Sequence, residues 1–430
     1  MGVSVLMNCE KTIIFMMTLS VINFFIGRRS VLFPPFIYST IWFMDVMIFA
    51  LSPFDLNTVH AITWWVISIG ALIFCVGGWA TCIFPNIIYA SRVKELCRPT
   101  QSSFGLTVLV IICIYGAIIM FCNIYEHGGG GGFSQIMMNA RNSSISMSLE
   151  GQSHSMIVAN IPVLSIWVVL ICMIDRRKRL FIVALICSII CCVLSTGRTD
   201  VLMLFASILS VQLFMHHKDN MAGLLRYGML PIVSFVALFV GLVFMNKDIS
   251  VFQDTSTVLL NFVLAYLVVS IPALDYVVRH PIELLHAPHH TFALVSSVLS
   301  YMGISVSKPS AIDLFTFVPL PTNVYTIYKF YITDFGIIGC FACIFTIGFL
   351  QTYIFRLAKN GGRISVYICA ILVFPAVMSV FDDAYSGCIL IVIKAGLLAT
   401  LYWGVLNRIH YGIRMPKIIV KIWSTHKRVA

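Results

Sequence analysis

The turn 195–200 places an arginine and a carboxylate between two apolar runs, 180–194 and 201–215. Arg198 stands inside that turn, and Asp200 follows it at the start of the second run. An arginine guanidinium stays charged and donates two parallel hydrogen bonds from one plane, which suits phosphate oxygens. Backbone N–H groups in the first turn of the following helix add to such a site. We therefore predict an anion site at Arg198 and Asp200. The alternative is that both residues cap and pair the turn.

A second group of polar residues precedes and opens the apolar run 332–355. Residues 321–326 read Pro-Thr-Asn-Val-Tyr-Thr, and residues 331–336 read Tyr-Ile-Thr-Asp-Phe-Gly. Amide and phenol groups bind sugar hydroxyls, and a carboxylate accepts a proton from one of them, so Asp334 is a candidate base. The predicted substrate-binding residues of this group are Asn323, Tyr325, Lys329 and Tyr331. Tyrosines at a membrane interface and a carboxylate at a helix start also occur without a function.

Two further cations lie in connections that otherwise hold little positive charge. Arg141 lies in the region 125–160, which opens with His127 and five glycines, and is a candidate catalytic residue. Lys247 begins the region 247–331 and is a candidate substrate-binding residue. Five consecutive glycines give a backbone with little intrinsic order. The first region is therefore expected either to open and close over a site or to act as a flexible tether.

The elements that position these residues are membrane helices. The chain has 430 residues, of which 60% are hydrophobic and 10% charged, and its mean hydropathy is +0.97. These values lie outside the range of soluble globular proteins. Apolar stretches of about 20 residues, enough to cross the hydrocarbon of a bilayer, recur along the chain. The sequence predicts an all-α polytopic integral membrane protein with a single transmembrane domain over residues 1–430.

The number of crossings depends on two segments, 258–277 and the less apolar 291–305. Thirteen crossings result if both segments span the membrane, and eleven if this stretch dips in and out from the outer face. The other predicted spans are 12–26, 31–51, 61–84, 105–124, 157–174, 180–194, 201–215, 227–245, 332–355, 364–381 and 387–407. In both cases the N-terminus is outside and the region 125–160 is a sizeable outer loop. With eleven crossings, the second periplasmic region 247–331 is one large outer loop. With thirteen crossings, the two segments divide it and 305–331 is the outer loop.

Positive charge is concentrated in alternate connections. The net charge is +11, and the positive-inside rule assigns connections rich in Lys and Arg to the cytoplasm. The clusters lie at 28–29, 92–98, 176–179, 218–226 and 356–363, and in a basic cytoplasmic tail at 408–430. The positive net charge therefore reflects the orientation of the chain in the membrane. A nucleic-acid surface would need these residues on a soluble domain, which the sequence does not contain.

The sequence predicts neither a metal site nor a cofactor. Most of the fourteen cysteines lie in apolar spans, so no disulfide framework is indicated. His286, His289 and His290 lack an acidic partner at a suitable spacing. The first outer connection has one carboxylate, Asp55, and no acidic pair that could hold a metal ion.

Four further charged residues stand at informative places. Asp45 and Lys394 lie inside predicted spans, where an ionisable group is functional by default. An ion pair between these two residues, tying two helices together, is the alternative. Asp382 and Asp383 are adjacent at the outer end of a span. At most one of the two can face the helix bundle.

The motifs at 196–200, 321–326 and 331–336 together resemble those of the O-antigen polymerases, the Wzy-type oligosaccharide repeat-unit polymerases of Gram-negative bacteria. The length, the dense series of spans and the two outer loops extend the resemblance over most of the chain. It implies a metal-independent glycosyltransferase of the GT-C type in the inner membrane, with its active site facing the periplasm. Such enzymes move a growing glycan from undecaprenyl pyrophosphate onto the non-reducing end of a lipid-linked repeat unit.

The resemblance also implies the partners of the protein. These are the undecaprenyl-pyrophosphate-linked oligosaccharide donor and acceptor, membrane lipid and a candidate chain-length regulator, with no nucleic acid. One alternative is a flippase or transporter for the same lipid, which would place charges along a central cavity in both halves of the chain. Another is an O-antigen ligase, which transfers finished glycan to the lipid A core. The family-like motifs favour the polymerase.

Overall fold

A computed structural model describes most of the chain. The described residues are 3–52, 54, 58–83, 104–149, 156–195, 197–246, 268–280, 291, 299, 302, 304, 316–318 and 321–406. Lys247, His286, His289, His290 and the tail 408–430 lie outside them. The side chain of Arg198 also lies outside the described part, whereas its backbone belongs to a helix.

The described chain is built almost wholly from helices. Their bounds are α1 (Val3–Ile26), α2 (Pro34–Ala50), α3 (Ala61–Ala80, followed by a 3-10 turn Thr81–Ile83), α4 (Phe104–Gly128), α5 (Phe133–Leu149), α6 (Met156–Ile174), α7 (Lys178–Leu194), α8 (Arg198–Met215), α9 (Met221–Gly223, a π-helical turn Leu224–Gly228, then Met229–Asn246), α10 (Ser270–Arg279), α11 (Tyr328–Lys359), α12 (Arg363–Met378) and α13 (Ala384–Thr400, continued by a π-helical turn Leu401–Leu406). Two short strands, β1 (Thr316–Phe317) and β2 (Pro321–Thr322), pair antiparallel before α11.

Membrane-spanning helices make up the bulk of this fold. Seven described helices are long and apolar enough to cross a membrane, and three shorter apolar helices, in α2, α8 and α12, accompany them. Many of their large apolar side chains are exposed, for example Leu230 at 76% and Ile338 at 87%. Such exposure suits contact with lipid rather than with water. The prediction of an all-α polytopic membrane protein is confirmed, while the number of crossings stays a prediction.

The two regions predicted as outer loops contain helices. In the first, α5 packs against α4 across a glycine turn in which Gly129 and Gly131 have positive φ, a backbone that favours glycine. In the second, α10 has ten residues, about 15 Å, which is too short to cross the hydrocarbon core. Its buried Asp275 accepts hydrogen bonds from the backbone N–H of His60 (2.8 Å) and from Thr63 Oγ1 (2.6 Å). The described part of 258–277 therefore covers the start of α3.

Four of the basic clusters lie at one end of the helix bundle. Asp219, between α8 and α9, accepts hydrogen bonds from Lys359 Nζ (2.7 Å) and Ser30 Oγ, and its carbonyl accepts one from Val31 N (2.7 Å). Asp175, between α6 and α7, accepts a hydrogen bond from Tyr402 Oη (2.7 Å), and its carboxylate lies 3.7 Å from Arg363 Nη1. These contacts join the connections at 28–29, 176–179, 218–226 and 359–363. We call this the basic end.

Close packing of α3 against α11 depends on glycine. A Cβ added to Gly348 would lie 2.2 Å from the carbonyl oxygen of Phe74, and one on Gly77 would lie 2.3 Å from that of Phe345. No larger residue fits these positions without moving the backbone. α11 is itself broken at Gly336, which has φ 69° and ψ −179°. Its first eight residues thus form a separate segment, buried over Tyr328–Ile332, at the end of the bundle opposite the basic end.

One expected ion pair does not form. The Lys394 ammonium donates a hydrogen bond to Asn160 Oδ1 at 2.9 Å. Asp45 is buried on α2, and neither of its carboxyl oxygens has a hydrogen-bond partner among the described residues. The interpretation of Asp45 and Lys394 as an ion pair is therefore wrong.

Candidate functional site

Polar side chains gather at the end of the bundle opposite the basic end, where α12 ends and α11 and α13 begin. The segment before α11 is tied to the connection 379–383 by a hydrogen bond from Ile327 N to the Ser379 carbonyl (2.9 Å). This contact sets the first turns of α11 and α13 side by side. Residues from the predicted group 321–336 thereby meet residues of the connection 379–383.

Asp383 is the centre of this site. As the N-cap of α13, its Oδ1 accepts hydrogen bonds from the backbone N–H groups of Tyr385 (3.1 Å) and Ser386 (3.3 Å), which have no partner within the helix. The Tyr331 hydroxyl of α11 donates a third hydrogen bond to Oδ1 (3.0 Å), and the Ser386 hydroxyl donates to Oδ2. Asp383 is only 4% exposed. The carboxylate is therefore held in one orientation by two helices.

The environment of Asp383 changes its acidity. Burial raises the pKa of the Asp383 carboxyl to about 6, and the hydrogen bonds from Ser386, Tyr331 and the backbone limit that rise by favouring the ionised form. A carboxyl with this pKa takes up and releases protons near neutral pH, as a general base must. The neighbouring Asp382 is exposed. This agrees with the expectation that at most one of the pair faces the bundle.

Three of the predicted substrate-binding residues lie on or beside the first turn of α11. Lys329 is buried, and its ammonium lies 3.6 Å from the centroid of the buried Tyr325 ring, a cation–π contact. Tyr331 contacts Asp383 as described. Asn323 is partly exposed in the segment that leads to them. The predicted group is therefore brought together by the structure, with Tyr331 bound to a carboxylate that the sequence did not single out as its partner.

Asp334, the candidate base, lies two residues before the break in α11. Its Oδ2 accepts a hydrogen bond from the backbone N–H of Thr291 (2.9 Å). Asp334 is thus used at least in part to hold another segment of the chain against α11. A new helical segment begins after Gly336, and a carboxylate such as Asp334 just before a helix start is favoured by the helix dipole.

The turn 195–200 is held by its own side chains. The Ser195 hydroxyl donates a hydrogen bond to Asp200 Oδ2 (2.8 Å) and accepts one from Gly197 N (3.3 Å). α8 then begins at Arg198, after Gly197 as N-cap with no side-chain cap. Asp200 therefore stabilises the turn, as expected from the alternative interpretation in which it caps the turn. The backbone position of Arg198 is in the first turn of α8, where free N–H groups add to an anion site.

The two predicted motifs lie at the same end of the helix bundle. Cys388, in the second turn of α13, lies within electrostatic range of both Asp200 and Asp383. Cys343 of α11 lies within electrostatic range of both Asp334 and Asp383. The turn 195–200 and the segment 331–336 therefore lie at the same end of the bundle as Asp383. We call the group of Asp200, Tyr331, Asp334, Asp383 and Ser386 the carboxylate site.

Arg141, the other predicted outer arginine, lies on α5. Its Nη1 is buried and has no hydrogen-bond partner within the described part of the chain. A buried guanidinium nitrogen without a partner is costly unless something else binds it. α5 packs against α4 and α9. The arrangement suits a position that takes an anionic ligand.

Buried tyrosines lie behind the carboxylate site and were not anticipated from the sequence. The Tyr38 hydroxyl of α2 donates to the Tyr328 hydroxyl (3.0 Å), and Tyr385 Oη donates to Gln351 Oε1 (2.6 Å). These bonds fix α2, α11 and α13 relative to each other. The signal for Asp383 was available locally, because Asp-Asp-Ala-Tyr-Ser is an N-cap followed by a polar first turn. The partner of that N-cap was not.

Within the described residues, no group of three or more His, Cys, Asp or Glu side chains is placed to hold a metal ion. Comparison with protein-family models, with curated protein sequences and with solved structures finds no match for this chain.

Proposed function

We propose that this protein is an O-antigen polymerase, a glycosyltransferase that joins undecaprenyl-pyrophosphate-linked oligosaccharide repeat units. One observation carries the proposal. Tyr331, in one family-like motif, donates a hydrogen bond to the buried Asp383 carboxylate, and the turn 195–200, which carries the other, lies at the same end of the bundle, opposite the basic end. By the positive-inside rule, the basic end lies in the cytoplasm, so the carboxylate site faces the periplasm.

The reaction breaks one bond and forms one bond. A sugar hydroxyl at the non-reducing end of the acceptor attacks the anomeric carbon of the donor glycan. The bond from that carbon to the pyrophosphate oxygen breaks, and the electron pair leaves with undecaprenyl pyrophosphate. The hydroxyl proton passes to a base. The enzyme therefore needs a carboxylate at the acceptor and cations at the leaving group.

Asp383 is the base in this proposal. Its pKa of about 6 keeps it largely ionised at neutral pH, yet close enough to neutrality to accept a proton in the transition state. Tyr331 and Ser386 orient the carboxylate through their hydrogen bonds. Asp334 binds the backbone N–H of Thr291, and Asp200 binds the Ser195 hydroxyl within the turn 195–200. Both carboxylates therefore have structural roles. This assignment replaces Asp334 by Asp383 as the first candidate, because Asp383 is held by four hydrogen bonds within the site.

The remaining predicted residues bind substrate. Arg198 and Arg141 neutralise the charge that develops on the leaving pyrophosphate, since a guanidinium holds phosphate oxygens in a bidentate manner. The residues that contact the sugars of donor and acceptor are Asn323, Tyr325, Lys329, Tyr331 and Lys247.

The proposal is tested with purified full-length protein and two synthetic lipid-linked repeat units. Wild type should release undecaprenyl pyrophosphate and form a product of two joined units. Asp383→Asn should lower the rate by at least about 100-fold, as expected for loss of a general base. The exposed neighbour Asp382 provides the matched control, and Asp382→Asn should keep the wild-type rate. A protein that forms no joined product under any condition, although it is folded, would overturn the proposal.

A further inference from the structure

An apolar cleft of about 370 Å³ lies between α2, α8, α9 and α12. Its walls are hydrocarbon side chains apart from two hydroxyls, Thr40 and Ser210. Met44 of α2 and Ile232 of α9 stand at its mouth and are 52% and 42% exposed. In a membrane helix bundle, such a mouth opens toward lipid, so the ligand that enters it is a hydrocarbon chain.

The cleft runs along the helices. On α8 its lining extends from Leu202 to Leu213, two residues eleven positions and about 16 Å apart, roughly half of the hydrocarbon thickness of a bilayer. On α2 it extends from Phe36 to Met44. The cleft is therefore long in the direction in which a lipid chain lies in a membrane.

The position of Arg198 identifies the head of the ligand. Leu202, Ala206 and Leu209 line the cleft along one stripe of α8, spaced by three or four residues. Arg198 occupies the preceding position of that stripe, four residues before Leu202, in the first turn of the helix. The register of α8 therefore places an arginine one turn before the lining of the cleft begins, at the same end of the helix as Asp200. This order of charge and hydrocarbon is complementary to a lipid with an anionic head.

We infer that the cleft holds the polyprenyl chain of the donor, the lipid whose pyrophosphate leaves in the reaction. The inference rests on the proposed function. The acceptor reacts through the sugar farthest from its own lipid, so only the donor must bring its pyrophosphate to the anomeric carbon. A donor chain in the cleft sets that pyrophosphate at Arg198 and the reacting sugar beside Asp383. The chain of the acceptor needs no cleft at this site.

Kinetics with matched substrates test this assignment. Ile232→Trp fills the mouth of the cleft, and Val233→Trp changes the next residue of α9, which is 57% exposed and does not line the cleft. With an undecaprenyl donor, Ile232→Trp should raise KM for the donor at least fivefold and leave KM for the acceptor unchanged. With a donor on a short citronellyl chain, the variant should match wild type. Val233→Trp should match wild type with both donors.

Photolabelling gives a readout that does not require activity. A diazirine placed midway along the chain of undecaprenyl pyrophosphate should label peptides from 36–44 or 202–213 in wild type and Val233→Trp, and much less in Ile232→Trp. Labelling without polymerisation would leave the cleft assignment standing while the proposed function fails. An unchanged donor KM in an active Ile232→Trp protein would overturn the cleft assignment alone. Equal labelling by a photoreactive phosphatidylglycerol would assign the cleft to membrane phospholipid and would also overturn it.

Discussion

The Tyr331 hydroxyl donates a 3.0 Å hydrogen bond to Asp383 Oδ1, although the two residues are 52 positions apart in the chain. The bond joins the first turn of α11 to the N-cap of α13. Because the carboxylate is buried, a hydrogen bond to its ionised form has a large effect on its acidity. In the proposed mechanism, Tyr331 therefore influences proton transfer at Asp383 as well as the orientation of its carboxylate.

The activity of the wild-type protein should depend on pH through Asp383. A base must be ionised to accept a proton, so kcat/KM should rise with pH and level off above its pKa of about 6. In Tyr331→Phe the ionised carboxylate loses a donor, which raises the pKa of Asp383 further. The rising limb should then move to higher pH by on the order of one unit. The measurement is the pH dependence of joining by the purified protein.

Tyr385→Phe is the control for that experiment. The Tyr385 hydroxyl donates to Gln351 Oε1 and not to Asp383, so its removal leaves both hydroxyl donors of the carboxylate in place. The limb should stay where it is in wild type. If the rising limb of the pH profile shifts equally in both variants, or shifts to lower pH in Tyr331→Phe, Tyr331 does not set the pKa of Asp383.

Substitutions of Arg198 test the anion site at the start of α8. Arg198→Ala should lower the joining rate by at least about 100-fold, because the leaving pyrophosphate loses a charge-assisted contact. Arg198→Lys should recover only part of this loss, since an ammonium does not make the planar bidentate contact. Protein level and membrane insertion should stay at wild-type values in both. Wild-type rates in Arg198→Lys would indicate that charge alone is needed.

The close approach of α3 and α11 predicts a cost for a single methyl group. Gly348→Ala should lower the free energy of unfolding by about 1–3 kcal/mol, because its Cβ would lie 2.2 Å from the Phe74 carbonyl oxygen. At Gly387 of α13, nothing lies within 4 Å of an added Cβ. Gly387→Ala should therefore leave stability unchanged or raise it by up to about 1 kcal/mol. Thermal unfolding in detergent compares the two. Equal midpoints would contradict the packing described for α3 and α11.

Asp219 is expected to stabilise the basic end in a pH-dependent manner. Burial raises the pKa of its carboxyl, but the hydrogen bonds from Lys359 and Ser30 outweigh that effect, so the pKa is below its ordinary value. Its contribution to stability is therefore complete above the unfolded-state pKa of about 3.9 and is lost as the pH falls through the lower folded-state pKa. Asp219→Asn should lower the free energy of unfolding by about 1 kcal/mol at pH 7.

The same comparison at pH 3 should give a smaller difference between wild type and Asp219→Asn. Lys218→Gln, which changes the exposed neighbouring residue, should have no measurable effect at either pH. A difference for Asp219→Asn that grows as the pH falls would contradict the assigned contacts.

The apolar helices were largely predictable from the sequence. The run 61–84 became α3 (Ala61–Ala80), and the run 364–381 became α12 (Arg363–Met378). Hydrophobic length is a local property, and membrane helices depend on it directly. The polar helix α5 was missed because its sequence lacks a long apolar run; it is held by packing against α4 and α9. The break at Gly336 was missed because a single glycine in an apolar run is compatible with both a continuous helix and a positive φ.

The site was predictable only in part. Tyr325, Lys329 and Tyr331 lie together because they are close in the chain and share the start of α11. Asp383 became a candidate because Tyr331 donates a hydrogen bond to it. Lys394 contacts Asn160 and not Asp45. Both contacts join helices that are far apart in the sequence. Local patterns do not specify which faces of two helices meet. The assignment of the base therefore required the structure.

Whether the protein is a polymerase with Asp383 as its base can be decided from the glycan ladder of cells that lack this gene, complemented with wild type, Asp383→Asn or Asp382→Asn. Cells without the gene should carry a single repeat unit on the lipid A core and no ladder. Wild type and Asp382→Asn should restore the ladder, and Asp383→Asn should not. If even single repeat units fail to reach the core without the gene, the defect lies in flipping or ligation, and the protein is not a polymerase.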